Sequence, residues 1–416
     1  MKFNKSGQSA GSPAAGLRSW GGLLLAAAAS LGVASLLTAC DQFSGTLTAD
    51  FVYVTSARAA GPNQYGEVDV FEINQESGRM RPLRTSPFPS GGRNPVAEAV
   101  HPDNQTLYVV NRDDNTIVQF AIGTDGKLYP QDTVNTPGIF PVAAAVSGKN
   151  LFVADTYEPL PTCSPASPCT GSVAAFPILA NDALDRDHPF SNTDLGTNYW
   201  PLIVPGSPSH IVLPVAIAAS GSNIYVAAYD STANTGYVFG FEVSGTSLIP
   251  TNGGVPTRAG IRPSAIVADP AGSYLFVTDA GRNNVLGFNL SSAALTPIAG
   301  SPFAAGNEPS AITIDKTGKL AYVANSLDST ITAYSVAAGG ALQVNATYAS
   351  DTQPVAIGID PELNQYLFTA NFLANTVSGY QINSTTGALV NSQFSPYAAN
   401  ANPTAVAAIP HGAVAK

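Results

Sequence analysis

Charge is scarce in this chain, and positive charge scarcer still: 18 Lys and Arg stand against 28 Asp and Glu, charged residues make up 11% of the sequence, and the formal net charge is −10. A nucleic-acid partner needs a basic face, and none is available. Three cysteines are too few for a disulfide framework. The four histidines show no zinc-ligand spacing, and the chain has no glycine-rich phosphate loop, no GxSxG elbow and no EF-hand pattern. The sequence therefore offers no cofactor or metal motif. Long apolar runs are confined to one stretch, 21–37, so nothing further along is long enough to cross a membrane as a helix.

That single run belongs to a targeting segment. Lys2, Lys5 and Arg18 precede it, it is rich in Ala and Leu, and it ends in Leu37-Thr38-Ala39-Cys40. A basic start, a short apolar stretch and small residues at its end are the parts of an export signal. The tetrapeptide resembles a bacterial lipobox, which implies lipidation at Cys40 and anchoring to a bacterial membrane, on the periplasmic side or at the cell surface. Residues 1–39 would then be removed, 40–50 would be a tether, and loss of three positive residues would take the mature charge to −13. Cys163 and Cys169, in TCSPASPCTG, have the spacing of a small disulfide ring, the natural state outside the cytoplasm.

What the chain has in quantity is turn formers, 38 Gly and 32 Pro, spread among short alternating apolar segments. In residues 309–342 an apolar run follows a proline, then come a Lys-Thr-Gly turn, LAYVAN, a polar turn and TITAYSV. Period-two alternation of β-branched and aromatic residues marks strands. The same order recurs from Pro95, Pro141, Pro214, Pro263, Pro309, Pro354 and Pro403, each followed two residues later by Ala. Repeats of about 45 residues with three or four strands have the size of propeller blades.

The ends set the number of blades. FVYVTS (51–56) matches a second strand with no first strand before it, and NPTAVAAIP (402–410) is a first strand with no second after it. Joined, they make one blade beside six complete ones. The expected fold is an all-β, seven-bladed β-propeller over 51–410, closed by pairing of N- and C-terminal strands, with a tail at 411–416. Only the interval from Pro141 to Pro214 is long, and its surplus, about 157–210, holds the cysteine pair and Trp200.

In such a ring the loop entering each first strand and the loop between second and third strands share one face, around the channel mouth. Asn94, Phe140, Leu213, Arg262, Glu308, Gln353 and Asn402 precede the prolines, while Asn111, Asp155, Ala228, Asp279, Asn325 and Asn371 end the second strands. The recurring Asn and Asp are expected to bond the next turn's backbone. Departures from the repeat are the candidate catalytic residues. Glu98 stands where other first strands have Ala144, Ile217, Ile266, Ile312, Ile357 and Val406, and a carboxylate in an apolar slot is costly unless paired or neutral. Arg112 follows the next strand of that blade and is a candidate partner for Glu98; Arg262 and Glu308 are charges at an otherwise neutral position. His210 lies just ahead of a first strand, and His101 replaces Asp269, Asp315 and Asp360 in a turn on the opposite face.

The phrases SPFAAGNEPSAITIDKTGKLAYVAN and QPVAIGIDPELNQYLFTANFLANTVSGYQINSTTGAL, with SPFPSGGRNP before Pro95, resemble the seven-bladed lactonase-like propellers, among them propeller-type 6-phosphogluconolactonase and carboxymuconate lactonizing enzyme. The resemblance implies hydrolysis of a sugar or related lactone at the channel mouth; the chain is expected to be a monomer. Pro-Val-Ala or Pro-Ser-Ala stands where catalytic members carry His and Arg, so Glu98, Arg112, Arg262 and Glu308 come from the repeat alone. The alternative is a non-catalytic envelope propeller binding a glycan, a protein or a small ligand.

Overall fold

The computed structural model describes residues 48–57, 64–291 and 294–410. The leader, the lipobox with Cys40 and the tail at 411–416 lie outside them. Seven antiparallel sheets of four or five strands follow one another. Blade 1 is Pro95–Val100, Thr106–Asn111, Thr116–Ile122 and Leu128–Asn135; blades 2 to 6 open with Ile139–Ser147, Val212–Ser220, Pro263–Ala268, Pro309–Ile314 and Pro354–Ile359. Each first strand neighbours the first strands of the blades before and after it, and the series returns to its start. First strands are half-buried along the axis, whereas second strands such as Thr106–Asn111 and Leu320–Asn325 are buried throughout.

Blade 7 is built from both ends. Pro403–Pro410 pairs with Thr48–Ser56, which pairs with Glu67–Asn74. The pairing runs from Asp50 opposite Pro410 to Ser56 opposite Pro403, so the strand begins within the expected tether. Closure in this way leaves neither terminal strand as a free edge.

The recurring proline has a physical reason. In all seven blades the register between first and second strands slips by one residue just after it, as between Pro95 and Ala97 or Pro309 and Ala311. A bulge tolerates the missing N–H of proline, and the extra residue is the one between Pro and Ala. Where that residue carries a hydroxyl it bonds the next blade: Ser264 donates to the carbonyl of Pro309, Ser310 to that of Pro354 and Thr404 to that of Pro95. Gly66, Gly171 and Gly236 admit the same prolines from the other side, since a Cβ there would come within 2.2, 2.2 and 2.6 Å of Pro95, Pro214 and Pro263.

The core is seven apolar seams between neighbouring blades. Second-strand tyrosines add a polar tie across them, Tyr53 to the Gly126 carbonyl at 2.9 Å, Tyr108 to Asp182 at 2.6 Å and Tyr322 to Gly387 at 3.1 Å. A buried ring with a satisfied hydroxyl contributes area without an orphaned donor.

The long interval in blade 2 is two loops. Its third strand, Ser172–Pro177, lies within the stretch, and Trp200–Pro201 forms a short outer strand. The first loop carries the bonded pair Cys163–Cys169, with Cα atoms 5.5 Å apart.

Candidate functional site at one rim

Residues before the first strands and after the second strands lie together on one rim, tied by backbone bonds from Arg112 N to Asn94 O, Ala280 N to Arg262 O, Ser326 N to Glu308 O and Phe372 N to Gln353 O. Asn94, Phe140, Glu308, Gln353 and Asn402 all have positive φ, from 49° to 58°. Asn tolerates this region; Phe, Glu and Gln do so at a cost.

The second-strand Asn and Asp residues hold this rim in shape. Asp279 accepts from the backbone N–H groups of Ile261, Arg262 and Gly281, each at 2.9 Å. Asn325 accepts from Gly306 N and donates to Thr330 and Thr332, while Asn371 donates to Thr376 and Ser378. Asp155 accepts from Gly138 N, and burial pushes its carboxyl up to about 7. The recurring positions thus organise turns, as expected.

The departures are distributed over two sectors. Glu98 points into the seam between blades 7 and 1, where Oε2 accepts a 2.6 Å hydrogen bond from Thr55 and Oε1 is buried with no partner. Burial raises its pKa to about 8, against the lowering effect of the Thr55 bond. All six equivalents pack in the apolar seams, so the carboxyl replaces a core aliphatic. Arg112 is not its partner: the guanidinium lies over the Phe140 ring, 5.2 Å from its centroid, and Phe140 in turn meets Tyr157 edge-on. The left-handed backbone of Phe140 carries this aromatic group at the rim between blades 1 and 2.

Arg262 and Glu308 are brought together across blades 4 and 5, with Nη2 to Oε1 2.8 Å and both side chains half exposed. Such a pair is worth about 0.2–1 kcal/mol. Next to it, a cavity of about 370 Å3 opens between blades 3 and 4, lined among others by Asn234, Arg258, Ile261, Asp279, Arg282 and Asn284. Neither Arg258 nor Arg282 has a carboxylate partner among the described residues. The carboxylate of Asp279 is occupied by backbone N–H groups, and Asn284 Oδ1 is buried without a partner.

The turn supplying Asn234 also holds a histidine–carboxylate pair. The second strand of blade 3, Asn223–Asp230, runs two residues past the repeat end at Ala228, and Asp230 Oδ2 lies 2.7 Å from His210 Nδ1. Asp230 is fully buried, and its Oδ1 accepts from Thr232 N and Ala233 N. The repeat places Arg282 just after a marked second-strand end without giving it a role, and it misses Arg258 and Asp230, which occupy no marked position. The second strands of blades 2 and 3 both run two residues past the repeat end, and only in blade 3 does that extension carry an acid, Asp230.

A seven-sheet ring with polar side chains converging on one rim is the architecture of a propeller enzyme or binding protein. The family model for the seven-bladed β-propeller lactonases matches residues 63–159 and 217–407, and the chain belongs to that family. The unmatched segment falls within the long blade 2 interval and the start of blade 3. No curated protein matches the chain. Among solved structures, a candidate 6-phosphogluconolactonase of Bacteroides fragilis shares 18% identity over 88% of this chain and 99% of its own, with TM-score 0.67. A similar protein of Bacteroides uniformis shares 20% over 87% and 100%, TM-score 0.65. The periplasmic gluconolactonase of Pseudomonas aeruginosa shares 17% over 86% and 99%, TM-score 0.63. At these identities the likeness is one of fold.

Proposed function

We propose that the chain is an exported hydrolase of sugar-derived or related lactones, working at the rim between blades 3 and 4. The observation that carries this reading is the cavity of about 370 Å3 in which Arg258 and Arg282 stand without acidic partners, beside the turn that holds His210 on Asp230. Lactone opening needs a base for water and cations for the oxyanion and the carboxylate that follow. In this reading Nδ1–H is donated to Asp230, and the Nε2 of His210, which is not itself among the residues lining the cavity, takes a proton from water as the oxygen attacks the ring carbonyl. The arginines stabilise the negative charge, the ring C–O bond breaks, and the proton passes to the departing alkoxide. Arg262 and Glu308 border this sector; Glu98 and Arg112 belong to the other and take no part in the step.

Export is supported by the leader and lipobox in the sequence and by the periplasmic relative. In this reading Cys40 is acylated and the membrane is a partner through that chain. Cys40→Ala is expected to move the protein from the detergent phase to the soluble fraction.

A second reading, a non-catalytic propeller that binds a glycan, a protein or a small ligand, is favoured by adjoining cavities of about 470 and 240 Å3 at the outer edges of blades 2 and 3, which share Pro201, Phe241 and Pro250. Proton release from a panel of aldonolactones and other five- and six-membered lactones separates the two. Turnover by the wild type and at least a hundredfold lower kcat/KM in His210→Gln are expected. No turnover anywhere on the panel, or equal turnover by the variant, overturns the hydrolase reading.

A further inference from the structure

On the face opposite the rim, the turns between first and second strands have a common device. In blade 4, Asp269 Oδ1 accepts from Ser273 N and Tyr274 N; in blade 5, Asp315 Oδ1 accepts from Lys319 N and Leu320 N; in blade 6, Asp360 accepts from Leu363, Asn364, Gln365 and Tyr366. A carboxylate there folds the turn by gathering its N–H groups. In blade 1 the place is taken by His101, whose ring makes one long contact with such a group, Nδ1 to Asp103 N at 3.4 Å. The imidazole has therefore given up the structural task of its position.

It faces two carboxylates instead. His101 Nδ1 is 2.8 Å from Asp103 Oδ1, and Asp182 comes from the second loop of blade 2, so that one ligand atom from each of the three lies within 4.8 Å of the others. Asp182 is held independently of His101: its backbone has φ 61°, its Oδ2 accepts from Thr106 Oγ1 at 3.0 Å, and its carbonyl accepts from Tyr108 at 2.6 Å. No lysine or arginine pairs with Asp103 or Asp182 among the described residues.

We propose that His101, Asp103 and Asp182 form a divalent transition-metal site that staples the first turn of blade 1 to the second loop of blade 2. One imidazole nitrogen and two carboxylate oxygens suit zinc or manganese, with water completing the shell, and the nitrogen ligand selects against calcium and magnesium. Metal binding uses the neutral imidazole, with Nδ1 as the ligand atom beside Asp103 Oδ1. Spacing along the chain hides the site, because its ligands come from two blades. The assignment is independent of any activity at the rim.

The test is calorimetric titration of the chelator-stripped full chain with zinc chloride and, separately, manganese chloride, with a melting curve at each end point. One ion per chain is expected, with a melting temperature raised at saturation, and affinity at least tenfold weaker in His101→Ala and Asp182→Asn. Asp182→Asn keeps an acceptor for Thr106 and so preserves the loop. His188→Ala is the control: His188 pairs with Asp185 on the exposed surface of the same loop and should leave binding unchanged. Absence of binding, equal binding by the His101 and Asp182 variants, loss in His188→Ala, or calcium binding as tight as zinc overturns the site.

Discussion

Blades 5 and 6 and blades 1 and 3 follow one plan and put it to different uses. In blades 5 and 6 the marked positions, Glu308 apart, do the work of the repeat: Asn325 and Asn371 hold the turns after the second strands, Asp315 and Asp360 fold the turns before them, and Ile312 and Ile357 fill the seams. In blades 1 and 3 those positions are spent otherwise. Glu98 takes an aliphatic place, His101 takes a turn aspartate's place, and the second strand of blade 3 is prolonged to bring Asp230 under His210. Where a chain repeats itself, the regular blades show what the fold requires, and a residue that breaks the pattern without a local benefit is held there for another reason.

The comparison is broken most forcefully by removing a piece that every blade needs. Truncation of residues 402–416 strips blade 7 of its first strand and exposes the edge of Thr48–Ser56, so loss of cooperative unfolding or aggregation is expected by calorimetry. A truncated chain with the parent's melting temperature would mean that the terminal strand is dispensable.

Smaller effects sharpen it. Asn325→Ala removes an acceptor for Gly306 N and a donor to two threonines in a regular blade, and should cost about 1–3 kcal/mol in chemical denaturation without touching rim chemistry. Glu98→Ile, in a departing blade, should do the reverse and stabilise by about 1 kcal/mol or more at neutral pH, since Oε1 has no partner. Its pH dependence has a definite sign. The folded pKa of Glu98 is about 8 against 4.5 for the free group, so the folded state binds the proton more tightly, and wild-type stability contributed by this group falls as pH rises from about 4.5 to about 8. The advantage of Glu98→Ile should therefore be smallest near pH 4.5 and level off above about 8; an advantage independent of pH would show the carboxyl to be unperturbed.

Much of the fold was legible because the repeat is dense with signals that have one mechanical cause each. Pro-x-Ala marks a bulge, the alternating second strand a buried ladder, and the unmatched ends a closing blade. The rim was legible only in part. Arg262 and Glu308 stood out as charges and do meet, whereas the proposed bond from Arg112 to Glu98 was drawn from proximity in sequence; in space the guanidinium faces Phe140 on the next blade and the carboxyl faces Thr55 on the previous one. Arg258 went unnoticed, and Arg282 stood out only as a residue after a second strand, because a pocket between blades is assembled from loops that the repeat does not align. The site of His101, Asp103 and Asp182 escaped for the same reason.

The central claim is that the departing sector between blades 3 and 4 serves ligand chemistry and the regular blades serve the fold. Both sides of it are read from one double variant, Arg258→Ala with Arg282→Ala, which removes two exposed guanidinium groups lacking acidic partners. Its denaturation free energy should stay within about 0.5 kcal/mol of the wild type, while kcat/KM on the best lactone of the panel falls at least a hundredfold, about 2.7 kcal/mol of transition-state stabilisation. Unchanged turnover in the double variant, or a loss of turnover matched by a loss of stability, would contradict the account.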